Sequence, residues 1–167
     1  MKNKILLVVF LVFSSQLMLA QEEAKEFGNS FYLTGGNPFD GEYAAIGVQS
    51  KGGNFPYEEP LLLIRYMKDN LEVFISDCGY YIDKPIIEFI FDKEDQRYRP
   101  DFGLSVDKKS IFLENLNGSG ELSAIIDKML NAKMLYVQIR EEENRAILTY
   151  DLKGFKEAYT KLKEKMN

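Results

Sequence analysis

A hydrophobic period of two, repeated in pairs of segments joined by short polar turns, constrains this chain more than any other feature. LLLIRYM (Leu61–Met67) and LEVFIS (Leu71–Ser76) flank Lys68, Asp69 and Asn70. Leu71, Val73 and Ile75 share one face, with Glu72 and Phe74 on the other, as successive strand side chains must. Asp and Asn tolerate turn conformations that strands forbid, so the pair reads as a hairpin. FGLSV and SIFLE around DKK make a second hairpin. Leu135–Arg140 and Ala146–Leu152 make a third, joined by Glu141–Arg145. IIEFIF (Ile86–Phe91) is a further strand, with Ile87, Phe89 and Phe91 on one apolar face. EYAAIGVQ (Glu42–Gln49) has strand character, and Ser30–Leu33 leaves room for a short strand. Hairpin turns of this length imply antiparallel pairing.

The rhythm changes to helical spacing twice. Leu122, Ile125, Ile126, Met129 and Leu130 form one stripe, and Phe155, Ala158, Tyr159, Leu162 and Met166 form another. Helices are expected over 120–131, capped by the Ser119 hydroxyl, and over 153–166. Gly154 falls where strand and helix must approach closely, so a side chain there has no room. The expected fold class is mainly β, an antiparallel β-sandwich or curved sheet of about seven or eight strands with two late helices.

The chain opens with Lys2 and Lys4, the apolar run Ile5–Phe13, and Ser14–Gln16. That order reads as a signal peptide over residues 1–20, cleaved after Ala20. The alternative is a retained membrane anchor, for which the unbroken apolar run is short, since a span needs about 20 residues. Residues 21–36 read as a flexible leader, and residues 37–167 as a single β-sandwich-like domain. Nearly 150 residues remain after cleavage, enough to bury most of the surface of one domain. The net charge of −5 becomes more negative once the two lysines leave, which disfavours general nucleic-acid binding. These features place the protein in the periplasm or outside the cell. Cys78 is the only cysteine, which excludes an internal disulfide. Its chemistry suits burial, the alternative being an intermolecular bridge that non-reducing electrophoresis would reveal.

The sequence contains no histidine, which removes Ser-His-Asp and Cys-His nucleophiles and imidazole zinc sites. Ser105 and Lys108 match a Ser-x-x-Lys spacing, but they lie at a strand end and turn rather than on a helix. Asp92, Glu94, Asp95 and Asp101 gather around the loop after IIEFIF. As an acid/base pair they would need one carboxyl in an apolar pocket, and DKEDQ lacks the glycine of an EF-hand loop. A solvated loop is the reading that charge runs favour. Arg65 sits mid-strand on the face of Leu61, Leu63 and Met67. Either that face is inward and Arg65 meets a carboxylate or a cleft, or Leu62, Ile64 and Tyr66 point inward and Arg65 faces water. Tyr57, Tyr80, Tyr81 and Tyr98 fall in loops or at strand ends, where they either anchor a partner or plug the ends of the fold.

Several segments together carry a family resemblance: NPFDG (Asn37–Gly41), Pro60–Ile75, Phe102–Phe112, and AKMLYVQI with TYDLKGFKEAYTKL. In this order they resemble the exported type VI secretion accessory proteins of the VasI kind and, more loosely, the invasion-associated locus B proteins. Tyr66 and Phe102 stand where that pattern has cysteine and tryptophan. The resemblance implies a fold and an exported accessory role and points to no known catalytic residue; no cofactor is expected. The expected function is therefore a non-enzymatic binding module that contacts an envelope or extracellular protein, with Tyr57, Arg65, Tyr80, Tyr81 and Tyr98 as candidate partner-binding residues. An inhibitor or small-ligand domain acting through its loops is the alternative, and a hydrolase using Asp92, Asp95 or Asp101 the third.

Overall fold

The computed structural model describes residues 20–37, 41–51, 59–76, 84–92, 94–114, 121–141 and 144–166. They form ten strands and two helices: β1 (Ala20–Phe27), β2 (Ser30–Asn37), β3 (Gly41–Lys51), β4 (Leu61–Met67), β5 (Asn70–Ser76), β6 (Ile86–Phe91), β7 (Phe102–Leu104), β8 (Ile111–Leu113), α1 (Glu121–Asn131), β9 (Met134–Glu141), β10 (Asn144–Asp151) and α2 (Phe155–Met166). Every strand pair is antiparallel, within one sheet of order β6-β9-β10-β3-β4-β5-β8-β7, with β2 and then β1 attached beside β3.

β3 determines the shape of that sheet. One edge pairs with β4 from Tyr43 to Gln49. The other edge pairs with β2 up to Val48 and then passes to β10 at Ser50 and Lys51. A strand whose partner changes along its length splits the sheet into two wings, β1–β2–β4–β5–β8–β7 on one side and β10–β9–β6 on the other. Ala44, Ile46, Val48, Leu62, Ile64, Val73 and Ile75 from the first wing join Ile87, Phe89, Phe91, Leu135, Val137, Ile139 and Leu148 from the second in one continuous core. Burying each of these side chains larger than alanine contributes about 1.5–3 kcal/mol.

The hairpins follow the expected alternation. Lys68 and Asp69 connect β4 to β5 with φ of 51° and 61°, the two left-handed residues of a type I′ turn. In the β7–β8 turn, the Ser105 hydroxyl donates to Asp107 and accepts from the amides of Lys109 and Ser110. Ser105 thus organises a turn. α1 buries Ile125, Ile126 and Met129, and α2 buries Phe155, Ala158, Tyr159 and Leu162. α2 packs on β1, β2, β3 and β4, and α1 packs on α2.

Where a flexible leader with a possible short strand was expected over residues 21–36, the chain forms a hairpin whose second strand includes Ser30–Leu33. β1 and β2 pair through Phe27 and Ser30, and β2 continues the main sheet. Among the described residues β1 has a partner on one side only, and its exposed Glu23, Lys25 and Glu26 are what an edge strand uses to discourage pairing with other chains. With β1 the strand number reaches ten, where seven or eight were expected. The signal-peptide reading, the Ser119 cap and Cys78 lie outside the described residues.

Gly154 ties this hairpin to the last helix. Its φ is +84°, and a Cβ there would come within 1.8 Å of the Phe27 carbonyl oxygen. The neighbouring Lys153 carbonyl accepts the Asn29 amide at 2.9 Å. Gly41 has a similar φ of +85° but open space around it. Gly154→Ala should therefore cost about 2–3 kcal/mol, and Gly41→Ala only about 1 kcal/mol from backbone strain. Urea denaturation checks this, and equal losses for the two variants would contradict the close approach of β1 to the α2 turn.

Candidate functional site

On the β10–β9–β6 wing, alternation sends Leu135, Val137, Ile139, Leu148 and Phe89 inward. Tyr136, Gln138 and Arg140 of β9 therefore face outward, beside Arg145 and Ile147 of β10 and Ile86 and Glu88 of β6. The loop after β6 adds a further row. Tyr98 forms a β-bridge with Phe89, with amide–carbonyl distances of 2.8 and 2.9 Å in the two directions. The Tyr98 ring turns inward, edge-on to Phe91 at 5.5 Å. Arg97 and Arg99, one residue to either side, then project onto the outer face with Glu88.

Glu88 is only 1% exposed. Arg99 donates from Nε at 2.9 Å and from Nη2 at 2.6 Å to its Oε1. Arg97 reaches Oε2 at 3.1 Å, Arg140 lies 3.7 Å from the same oxygen, and the Gln138 amide donates to it at 3.3 Å. A buried carboxylate without partners would be costly; here hydrogen bonds from Arg99, helped by the charges of Arg97 and Arg140, hold its pKa below 4.5 against the opposing effect of burial. The three guanidinium side chains remain 57%, 66% and 42% exposed for Arg97, Arg99 and Arg140. Long arginine stems cover the carboxylate while the charged heads reach water.

The face continues beyond this cluster. Arg145 lies directly opposite Arg140 in the β9–β10 register. Among the described residues, the exposed large hydrophobics are Ile86, Val106 and Ile147, and two of them, at 49% and 43%, lie on this face. Ile86 pairs across from Arg140, and Ile147 from Gln138. The surface is thus an open strand face with arginines, isoleucines and the half-buried Tyr136.

Arg65 occupies a different face. Leu62 and Ile64 point into the core, and Tyr66 packs against it, so Arg65 lies on the outer side of β4. Its Nε donates to Glu72 at 2.8 Å, and its guanidinium sits 5.2 Å from the centre of the Phe74 ring. Both ion-pair partners are about a third exposed, so Arg65 is neither in a cleft nor freely solvated. Around it, Phe31, Leu33, Ala45, Leu61 and Leu63 form a second apolar cluster on the side of the sheet turned from the main core.

The other sequence candidates separate. Tyr57, Tyr80 and Tyr81 lie outside the described residues. Tyr98 packs against the core edge, with the Lys128 ammonium 5.6 Å from its ring centre, and its backbone bridge to Phe89 sets the phase of Arg97 and Arg99. The carboxylates of the 92–101 loop diverge. Asp92 accepts the amides of Lys133 and Met134 at 2.9 Å each, and Glu94 pairs with Lys128 at 3.1 Å. Asp101 accepts the Glu114 amide through its backbone carbonyl, and Asp95 is exposed. Among the described residues, no group of three or more acidic, cysteine or histidine side chains could hold a metal ion. No helix among them is long and apolar enough to cross a membrane. Glu88, Arg97, Arg99 and Arg140 did not stand out in the sequence, and the one local signal was the pair of arginines flanking Tyr98 in QRYRP.

No protein-family model and no curated protein matches the chain. Among solved structures, the fold is similar to invasion associated protein B of Bartonella henselae, with a TM-score of 0.59 and 9% identity. The match covers 86% of this chain and 97% of that one. At this identity the likeness shows the fold, and it agrees with the looser of the two family resemblances.

Because the Glu88 pKa is lowered in the fold, its stabilising contribution is complete above the unfolded value and is lost as pH falls below 4.5 and through the folded pKa. Glu88→Gln should destabilise the protein by about 1–3 kcal/mol at pH 7, leaving three arginines without their counter-charge. The loss should shrink as pH falls below the ordinary carboxylate range and on through the lowered pKa of the folded protein. Urea denaturation at pH 7 and at a series of lower pH values measures it, and a loss that stays constant down the series would contradict a charge-dependent role.

Proposed function

We propose that this chain is an exported, non-enzymatic binding module that contacts another protein of the bacterial envelope or its surroundings. The observation that carries the reading is the outer face of β6, β9 and β10. Arginine and tyrosine are enriched at protein interfaces, and exposed isoleucines beside them give a partner apolar area to bury. A face of regular strands is also rigid, so little order has to be gained on binding.

Two further features support the reading. The basic, apolar opening of the chain has the order of a secretory signal, consistent with a periplasmic or secreted destination. The succession of hairpins, the TYDLKGF turn and the closing helix resembles the type VI accessory proteins of the VasI kind, and within that resemblance an accessory role needs no reacting group. The fold is shared with a protein whose name associates it with invasion; that word describes the neighbour, and only the architecture carries over.

Pull-down from an envelope fraction, followed by affinity measurement on the recovered partner, tests the proposal. Ile86→Thr with Ile147→Thr keeps β-branched residues in the strands and removes exposed apolar area. Binding should weaken at least about tenfold with the thermal midpoint preserved, the scale at which central interface residues act. Undiminished recovery by the double variant would remove this face from the interface.

A further inference from the structure

We infer that the partner of the β6–β9–β10 face is an acidic protein surface, whose carboxylates seat on Arg97, Arg140 and Arg145. The inference rests on the binding-module reading and names the chemistry of the same site. Three observations on the free protein point to it.

First, charge on this face is unbalanced. Arg97, Arg99 and Arg140 share the single carboxylate of Glu88, and Arg145 draws no ion pair among the described residues. The acid at the end of β9, Glu141, accepts the Lys84 amide at 2.9 Å. Among the described residues, four arginines on this strand face thus stand over one buried carboxylate, in a chain whose net charge is −5. Second, donors remain unspent. A guanidinium carries five N–H groups. Arg97 gives one bond to Glu88 with its side chain 57% exposed, and the Arg140 side chain, 42% exposed, lies 3.7 Å from the same carboxylate, so both keep outward N–H groups for a partner. Third, Arg140 and Arg145 oppose each other directly across β9 and β10. Like charges directly opposite one another destabilise a sheet. A carboxylate placed between them would relieve the repulsion and accept the free donors, because the guanidinium fork matches carboxylate geometry.

Glu88 then acts as an anchor. It fixes Arg99 through a two-pronged contact and draws Arg97 and Arg140 towards it, so the heads are positioned before a partner arrives. The flanking Ile86 and Ile147 favour a protein over a free polyanion, since a polysaccharide or a lipid headgroup layer offers nothing that gains by covering them at strand height. The trade-off has a distinct signature. Removing Arg145 should leave the free protein as stable or more stable while it weakens binding.

The test uses the purified protein and fluorescent poly-L-glutamate as the probe, with heparin and phosphatidylglycerol vesicles as competing polyanions. Arg97→Gln with Arg145→Gln spares the Arg99–Glu88 contact. The expected result is binding of poly-L-glutamate that weakens at least tenfold in the double variant and falls with added salt, while Arg145→Gln alone, which leaves every contact of Glu88 in place, keeps a thermal midpoint equal to or above that of the unmodified protein. Unchanged poly-L-glutamate binding in the variant would overturn the inference. Tighter binding of heparin or vesicles than of poly-L-glutamate would also overturn it, assigning the face to a glycan or a membrane. Failure of poly-L-glutamate to bind, while Ile86→Thr with Ile147→Thr still abolishes envelope recovery, would remove the acidic partner and leave the binding module standing.

Discussion

The change of partner along β3 is the constraint on which the rest of the fold depends. This strand of eleven residues pairs with β4 on one side and, on the other, first with β2 and then with β10. A flat sheet cannot satisfy both partners on the same edge, so the strands after the change turn away from those before it. The inner faces of the two wings thereby meet in one core, closed by α1 and α2. The outer faces are left with different characters. Beside Arg65 and its ion pair lies a second cluster of buried apolar side chains; around Glu88 the face is cationic and only partly satisfied.

That second face owes its form to a buried charge. A carboxylate at 1% exposure persists because it is hydrogen-bonded on both oxygens by groups that are themselves solvated at their outer ends. Replacing a buried ionic network with apolar side chains is often neutral for stability, so such a network is weak evidence of a purely structural purpose. What Glu88 does that a leucine could not is hold three guanidinium heads on a strand face. The bridge between Tyr98 and Phe89 completes the arrangement, because it puts Arg97 and Arg99 in phase with Glu88.

Much of the architecture was legible in the sequence, and the reasons are local. Period two in Leu61–Ser76 and Leu135–Leu152, and the helical stripes from Leu122 and Phe155, are each written in neighbouring residues. The hindered position of Gly154 was legible too, since a glycine between a strand and a helix has few other uses. β1 was not. AQEEAKEF carries charges on every side, and its strand state comes from pairing with β2 rather than from burial. The candidate site was almost invisible. One glutamate in IIEFIF is what any solvated strand face shows, and DKEDQRYRPD looks like a charged loop. Only pairing distant in sequence, Glu88 with Gln138 and Tyr98 with Phe89, turns those residues into a cluster. Arg65, which the sequence did single out, proved to be settled by Glu72 and Phe74 on its own hairpin.

The most direct measurement is an NMR titration that follows arginine Nε–Hε signals as poly-L-glutamate is added. Shifts should appear at Arg97, Arg140 and Arg145 and grow together, with Arg65 unmoved because its guanidinium is already paired. Movement at Arg65 with the Arg140 and Arg145 signals unchanged would contradict the assignment of binding to the β6–β9–β10 face.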